Sequence, residues 1–218
     1  MFKIENGNLD VVSVDGYRLA LRREAINYAN NTEFVVPGKT LSEVLKLLKD
    51  SEGEVEICPS RGVSVVHVRH ILFRIDNYTV ISALLEGEFL DYKSALPKDK
   101  KTEVTVSTRT MIESVERVSL LITDRLKSPV RCVIGEDIVK LFCTTTMGRA
   151  TDQISAEISG DQLEIGFNNK YLLDALRAAE TDEVRLQLGG PISPMLVLPK
   201  EGDAFSFLVL PVRLRNEM

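Results

Sequence analysis

The chain is poor in the residues that chemistry usually needs. Its 218 residues include two histidines and three cysteines, and no nucleophile or phosphate-loop signature. His67 and His70 lie in strand-forming sequence at an odd spacing of three residues. They therefore point to opposite faces and form neither a metal pair nor an acid–base pair. Cys58, Cys132 and Cys143 lie far apart with no CxxC pair among them, and read as reduced, mostly buried cytosolic thiols without a metal. Gly189-Gly190-Pro191 reads as a turn. The expectation is a non-enzyme with no cofactor. No apolar run reaches the ~18 residues that span a bilayer, and Met1-Phe2-Lys3-Ile4-Glu5 is no signal peptide, so a soluble, cytoplasmic protein with no membrane partner is expected. Positive charge is short as well. Lys and Arg total 27 against 32 acids, a net charge of −5. That excludes a grip on nucleic acid by bulk electrostatics, while leaving room for a local basic lining.

What is present is a strand-rich α+β pattern, long enough for two domains. Phe2–Ile4 and Leu9–Val14 read as a hairpin closed at Asn6-Gly7. Asp15-Gly16 then turns the chain into Tyr17–Leu21, as though it began inside a domain. Next come a strand at Phe34–Val36, a helix over Thr40–Lys49, and strands at Glu54–Cys58, Val63–Val68, His70–Ile75 and Thr79–Leu84. A polar linker around Leu96-Pro97-Lys98-Asp99-Lys100-Lys101 divides residues 1–98 from 99–218. Beyond it the pattern predicts a strand at Glu103–Val106, a helix at Arg109–Ile122, and strands at Val130–Gly135, Ile138–Thr145, Asp152–Ile158 and Gln162–Phe167. A helix over Lys170–Ala179 and strands at Glu183–Leu188, Met195–Leu198 and Ser206–Leu214 follow.

Three stretches share one helix start. Val36–Leu45, Val106–Val115 and Phe167–Leu176 each place Pro, Ser or Asn after a strand, then a basic residue (Lys39, Arg109, Lys170) and an apolar one. An acid (Glu43, Glu113, Asp174) and another apolar residue follow. The spacing is 70 and then 61 residues, so the unit is a strand, a helix and three strands, internally duplicated. A cation in a first helical turn opposes the helix dipole; three in register imply a surface kept positive for an anionic partner. Helical spacing turns Leu41, Val44, Leu45 and Leu48 inward on the first helix, with Lys46 outward. It turns Ile112, Val115, Ser119 and Ile122 inward on the second, leaving Arg109, Glu113, Arg117 and Leu120 outside. On the third, Leu172, Ala175, Leu176 and Ala179 face in, and Lys170, Asp174 and Arg177 face out.

Several segments carry a resemblance. Val14-Asp15-Gly16-Tyr17-Arg18-Leu19-Ala20, Phe34–Lys39, Glu86–Tyr92, Glu164–Leu176 and Leu208–Leu214 resemble, in the right order, the bacterial sliding clamp, the beta subunit of the replicative DNA polymerase. The resemblance implies the DNA-clamp fold: repeated strand–helix–strand–strand–strand units, with helices on one face of antiparallel sheets. It implies a homodimer ring that encircles duplex DNA without reading sequence and tethers the polymerase as a processivity factor. The chain resembles the second half of the family's middle domain and all of its last. The expectation is an open reading frame begun at an internal Met, or a truncated product, which puts ring closure in doubt.

On this resemblance, Lys39, Lys46, Arg109, Arg117, Lys170 and Arg177 are the residues expected to face DNA phosphates, through weak, salt-sensitive contacts. Leu120 and Leu121 are expected at an interface between protomers. A pocket between the middle and last domains is expected to take linear motifs of the polymerase alpha subunit, the clamp loader and repair polymerases. One wall matches Val14, Gly16, Tyr17, Arg18 and Leu19, and Leu90 stands where the family often has Pro. Asn168, Tyr171, Ile192 and Pro194 match the side taking the motif's Gln, and Leu210, Pro211, Val212 and Arg213 the C-terminal wall. The tail Arg215-Asn216-Glu217-Met218 extends past the family's usual end, beside the pocket. The rival reading is a truncated clamp acting only as a peptide-motif adaptor, without encircling DNA.

Overall fold

Asn6 and Gly7 both take positive φ, 52° and 76°, which closes β1 (Phe2–Glu5) onto β2 (Asn8–Val14) with Glu5 opposite Asn8. Asn and Gly tolerate that conformation at least cost. In this computed structural model, residues 1–49, 51–61, 68–97, 99–123 and 128–214 are described. The expected strand at Val63–Val68 (save its last residue), His67, Lys98 of the linker and the tail from Arg215 lie outside them. The turn at Asp15-Gly16 leads into β3 (Arg18–Ala25).

The chain divides into two compact units, Met1–Val11 with Glu24–Leu90, and Val12–Arg23 with Asp91–Met218. In the first, β4 (Thr32–Phe34) pairs antiparallel with β1, and the rings of Phe2 and Phe34 stack at 5.4 Å. The helix α1 (Gly38–Leu48) follows, then an antiparallel sheet of β5 (Glu56–Arg61), β6 (Val68–Ile75) and β7 (Tyr78–Ala83). Phe2, Phe34, Val36, Val44, Ile71, Phe73 and Ile75 form the core. One expectation fails here. Leu45 is 59% exposed, and Leu47 packs on the core instead, beside Leu41 and Leu48.

The longer segment of the second unit opens with a one-turn helix the sequence did not suggest, α2 (Tyr92–Ala95). It then carries two copies of the repeat. The first is β8 (Thr102–Ser107), α3 (Thr108–Ser119), β9 (Val130–Gly135), β10 (Ile138–Thr145) and β11 (Gly148–Ser155). A short β12 (Glu157–Gly160) intervenes. The second copy is β13 (Leu163–Phe167), α4 (Asn169–Ala179), β14 (Glu183–Leu188), β15 (Met195–Pro199) and β16 (Phe205–Val209). Each copy lends its first strand to the other: β8 pairs with β14, and β13 with β9. Both helices contribute to one core, with Met111, Val115, Leu172 and Leu176 at 2% exposure or less.

Three sequence expectations need correction in this unit. The helix expected to run to Ile122 ends at Ser119, and its buried residues are Thr108, Met111, Ser114, Val115 and Val118. Ile112 and Ser119 are only partly buried, because the i, i+4, i+7 stripe from Met111 is the one facing the sheets. The strand expected over Asp152–Ile158 is split, with β11 in one sheet and β12 paired to β8. The Ala156 N–H between them donates to Asp137 O. The last strand stops at Val209. Pro211, which has no N–H to donate, follows within two residues.

Candidate functional site

In the second unit, Asp15 organises the turn before β3. Its Oδ1 accepts the N–H groups of Tyr17 (2.8 Å) and Arg18 (3.0 Å), and its Oδ2 accepts from Arg18 Nε at 3.0 Å. Such an Asx turn fixes the chain by local bonds alone. Burial pushes the Asp15 carboxyl up, but the bonds from Tyr17 and Arg18 outweigh it and hold the group below its ordinary value. Arg18 Nη1 also donates to Asp174 Oδ2 on α4 at 2.5 Å, and the guanidinium lies 4.6 Å from the Tyr171 ring centroid. The Asp174 bond first, then the Asp15 bond, raise the Arg18 pKa. Tyr17 stacks on Tyr171 at 5.7 Å and 24°.

Behind this rim lies a hollow of about 270 Å³. Val14, Leu19, Ala175, Phe207, Leu208 and Val209 supply apolar walls, and Asp15, Arg18, Tyr171 and Asp174 its polar edge. A second, more polar hollow of about 590 Å³ is lined by Ile122, Thr123, Asn168, Lys170, Tyr171 and Val212, among others. Tyr171 lines both. Asn168 is also the N-cap of α4, its Oδ1 accepting from the N–H groups of Lys170 and Tyr171. The C-terminal segment is tied in by its backbone: Leu210 N–H donates to Tyr17 O and Val212 N–H to Gly166 O. A Cβ on Gly166 would sit 2.5 Å from Leu214 Cδ2 and 3.3 Å from Val212 O, so any larger residue there would make the Leu214 side chain shift.

Of the residues singled out in the sequence, Val14, Arg18, Leu19 and Tyr171 line the first hollow, and Asn168, Tyr171 and Val212 the second. Tyr17 stands exposed at the rim and Leu210 is bonded to it. Gly16, Ile192, Pro194, Pro211 and Arg213 line neither hollow, and Ile192 is 74% exposed. Leu90 is an exposed residue of the first unit. Sequence reasoning missed Asp174, Phe207 and Leu208. Asp174 carried a signal, an acid at i+3 from Tyr171 and so on its face of the helix.

The helix cations fall into two tiers. Lys39, Arg109 and Lys170 each occupy the second helical position, and none of the three helices has an acid in its first turn. Lys46, Arg117 and Arg177 sit in last turns, where the dipole favours them. Among the described residues, Lys46 pairs with Glu43, Arg109 with Glu113, Arg117 with Asp152, and Arg177 with Glu116. The last pair joins α4 to α3. Leu120 caps α3 and is 82% exposed, and Leu121 follows in the turn. Cys132 is fully buried, its thiol pushed up to about 12, which makes it inert. Among the described residues no group of three or more His, Cys, Asp or Glu is placed to hold a metal, and no helix is long and apolar enough to cross a membrane.

Residues 1–91 match the DNA polymerase III beta subunit, central domain, and residues 93–213 its C-terminal domain. The chain belongs to the DNA polymerase III beta subunit family. It is similar to the beta sliding clamp of Staphylococcus epidermidis, 30% identical over 213 residues, and to that of Staphylococcus aureus at 29%. Each match covers 96% of this chain and 55% of the relative, so the chain spans about half the length of these relatives. Among solved structures, the DNA polymerase sliding clamp of Bacillus subtilis aligns at a TM-score of 0.90 with 30% identity, over 98% of this chain and 56% of that one. The Pseudomonas aeruginosa sliding clamp aligns at 0.87 with 28% identity, over 98% and 58%. The fold is therefore that of the sliding clamps, with α+β units of antiparallel sheets and helices.

Proposed function

We propose that the chain works as part of a DNA sliding clamp, a non-enzymatic processivity factor of bacterial replication in the cytoplasm. Residues 1–98 would serve as middle-domain material and 99–218 as the last domain of a homodimeric ring around duplex DNA. The recurrence of a second-position cation in three helices, Lys39, Arg109 and Lys170, supports the DNA reading. None of the three first turns carries an acid to offset that charge. Leu120 and Leu121, at the C-terminal end of α3 with Leu120 82% exposed, are the candidate protomer contacts.

The observation that carries the peptide-motif reading is Tyr171, which lines both an apolar hollow and a more polar one. A short peptide with an apolar end and a Gln end fits that division: apolar anchors supply the binding energy and polar groups the orientation. The polymerase alpha subunit, the clamp loader and repair polymerases are the partners this implies. The test is fluorescence anisotropy of a labelled clamp-motif peptide on wild type, Tyr17→Ala and Leu210→Ala. Both substitutions should weaken binding several-fold without lowering the melting temperature. Unchanged affinity in both would remove the pocket assignment.

A further inference from the structure

The acid that recurs in the repeat behaves differently in its third copy. Glu43 pairs with Lys46 three residues on, and Glu113 with Arg109 and Arg117, all on their own helices. Asp174 instead reaches off its own helix and accepts from Arg18 Nη1, 156 residues away in sequence, on β3. Arg18 is held at the other side by Asp15, which is itself fixed by two backbone N–H groups. The guanidinium so held lies against Tyr171, the side chain that lines both hollows.

We propose that Asp174 is a positioning residue of the site, fixing Arg18 against Tyr171, the side chain both hollows share, before any ligand arrives. This rests on the peptide-site reading above. Asp15 alone leaves the guanidinium tethered only at Nε, free to turn about its long side chain. Asp174 adds the second anchor at Nη1, and a planar group held at two points keeps its plane. Order gained beforehand is order a ligand need not impose. Asp174 need not touch the ligand for this, and its role runs wholly through Arg18.

The test is a double-substitution cycle on the full chain, read by anisotropy of the motif peptide and by NMR of the free protein. Asp174→Ala should weaken the peptide roughly two- to fivefold, the range an exposed ion pair commands. Asp174→Glu should recover most of the loss, and in an Arg18→Ala background the Asp174→Ala effect should vanish. In the free protein, the Arg18 Nε–H and Tyr171 ring signals should move in Asp174→Ala while the melting temperature holds. The proposal is overturned if Asp174→Ala binds as wild type, or loses as much without Arg18 as with it. Failure of the wild type to bind any motif peptide would instead sink the peptide-site reading. The free-protein signals would still decide whether Asp174 positions Arg18, and unmoved signals would refute it.

Discussion

Reversing the second-position cations separates a structural role from an electrostatic one. Lys39 has no ion pair with another described residue, and Pro37 offers α1 no side-chain cap. Lys39→Glu removes a cation from the positive helix end and supplies an anion there. Each half of that change is worth about 0.3–1 kcal/mol at low ionic strength. The new acid stands four residues before Glu43, which takes back about 0.2–0.5 kcal/mol. The net gain is up to about 1.8 kcal/mol. For a unit of this size that raises the melting temperature by a few degrees. Arg109→Glu gains the same dipole term and meets the same repulsion from an acid four residues on, but it also breaks the 2.8 Å pair with Glu113, so it should stay near wild type. Lys170→Glu falls between, because Asn168 already caps α4. Calorimetry of the three variants and their combination reads the stability. Binding of a duplex over a salt series reads the function. If all three face phosphate, the slope of log K against log salt falls by about 2.7 in the triple variant. A lower melting temperature in Lys39→Glu would refute the dipole argument, and an unchanged salt slope would refute the phosphate contacts.

Two further predictions concern particular backbone and charge features. Gly160 has φ of 108°, and a Cβ there would lie 1.9 Å from Lys101 O; Gly160→Ala should therefore cost the second unit about 3 kcal/mol through strain and loss of the β12–β8 pairing. Urea titration checks it, and a change under 1 kcal/mol (an estimate at the scale of ordinary substitutions) would refute the close approach. Asp15 is held below the usual carboxylate value in the fold. Its contribution is thus complete above the unfolded value of about 3.9 and is lost as pH falls through the folded one. The stability gap between wild type and Asp15→Asn should be constant above about pH 5 and close in more acid solution, followed by denaturation at several pH values. A gap that widens on acidification would reverse the sign of the argument.

The sequence by itself determined what is local. Asn6-Gly7 and Asp15-Gly16 turn where their conformational freedom and side-chain bonds dictate. β9, β10 and β14 run over the residues their patterns mark, and the three helix starts repeat because capping is a matter of neighbours. α4 buries the face its spacing predicts. Tertiary structure decided what lies opposite each face. Periodicity says that Leu45 and Val115 share a helical position, yet one is exposed and the other wholly buried, since burial depends on what packs there. The crosswise exchange of β8 and β13, the end of α3 before Leu120, and the walls that Phe207 and Leu208 give the hollow all depend on distant pairings. So does the site's main ion pair. An acid on an exposed helix face is one of many in a chain with 32 of them. It became part of the site when folding brought Asp174 within a hydrogen bond of an arginine at the other end of the sequence.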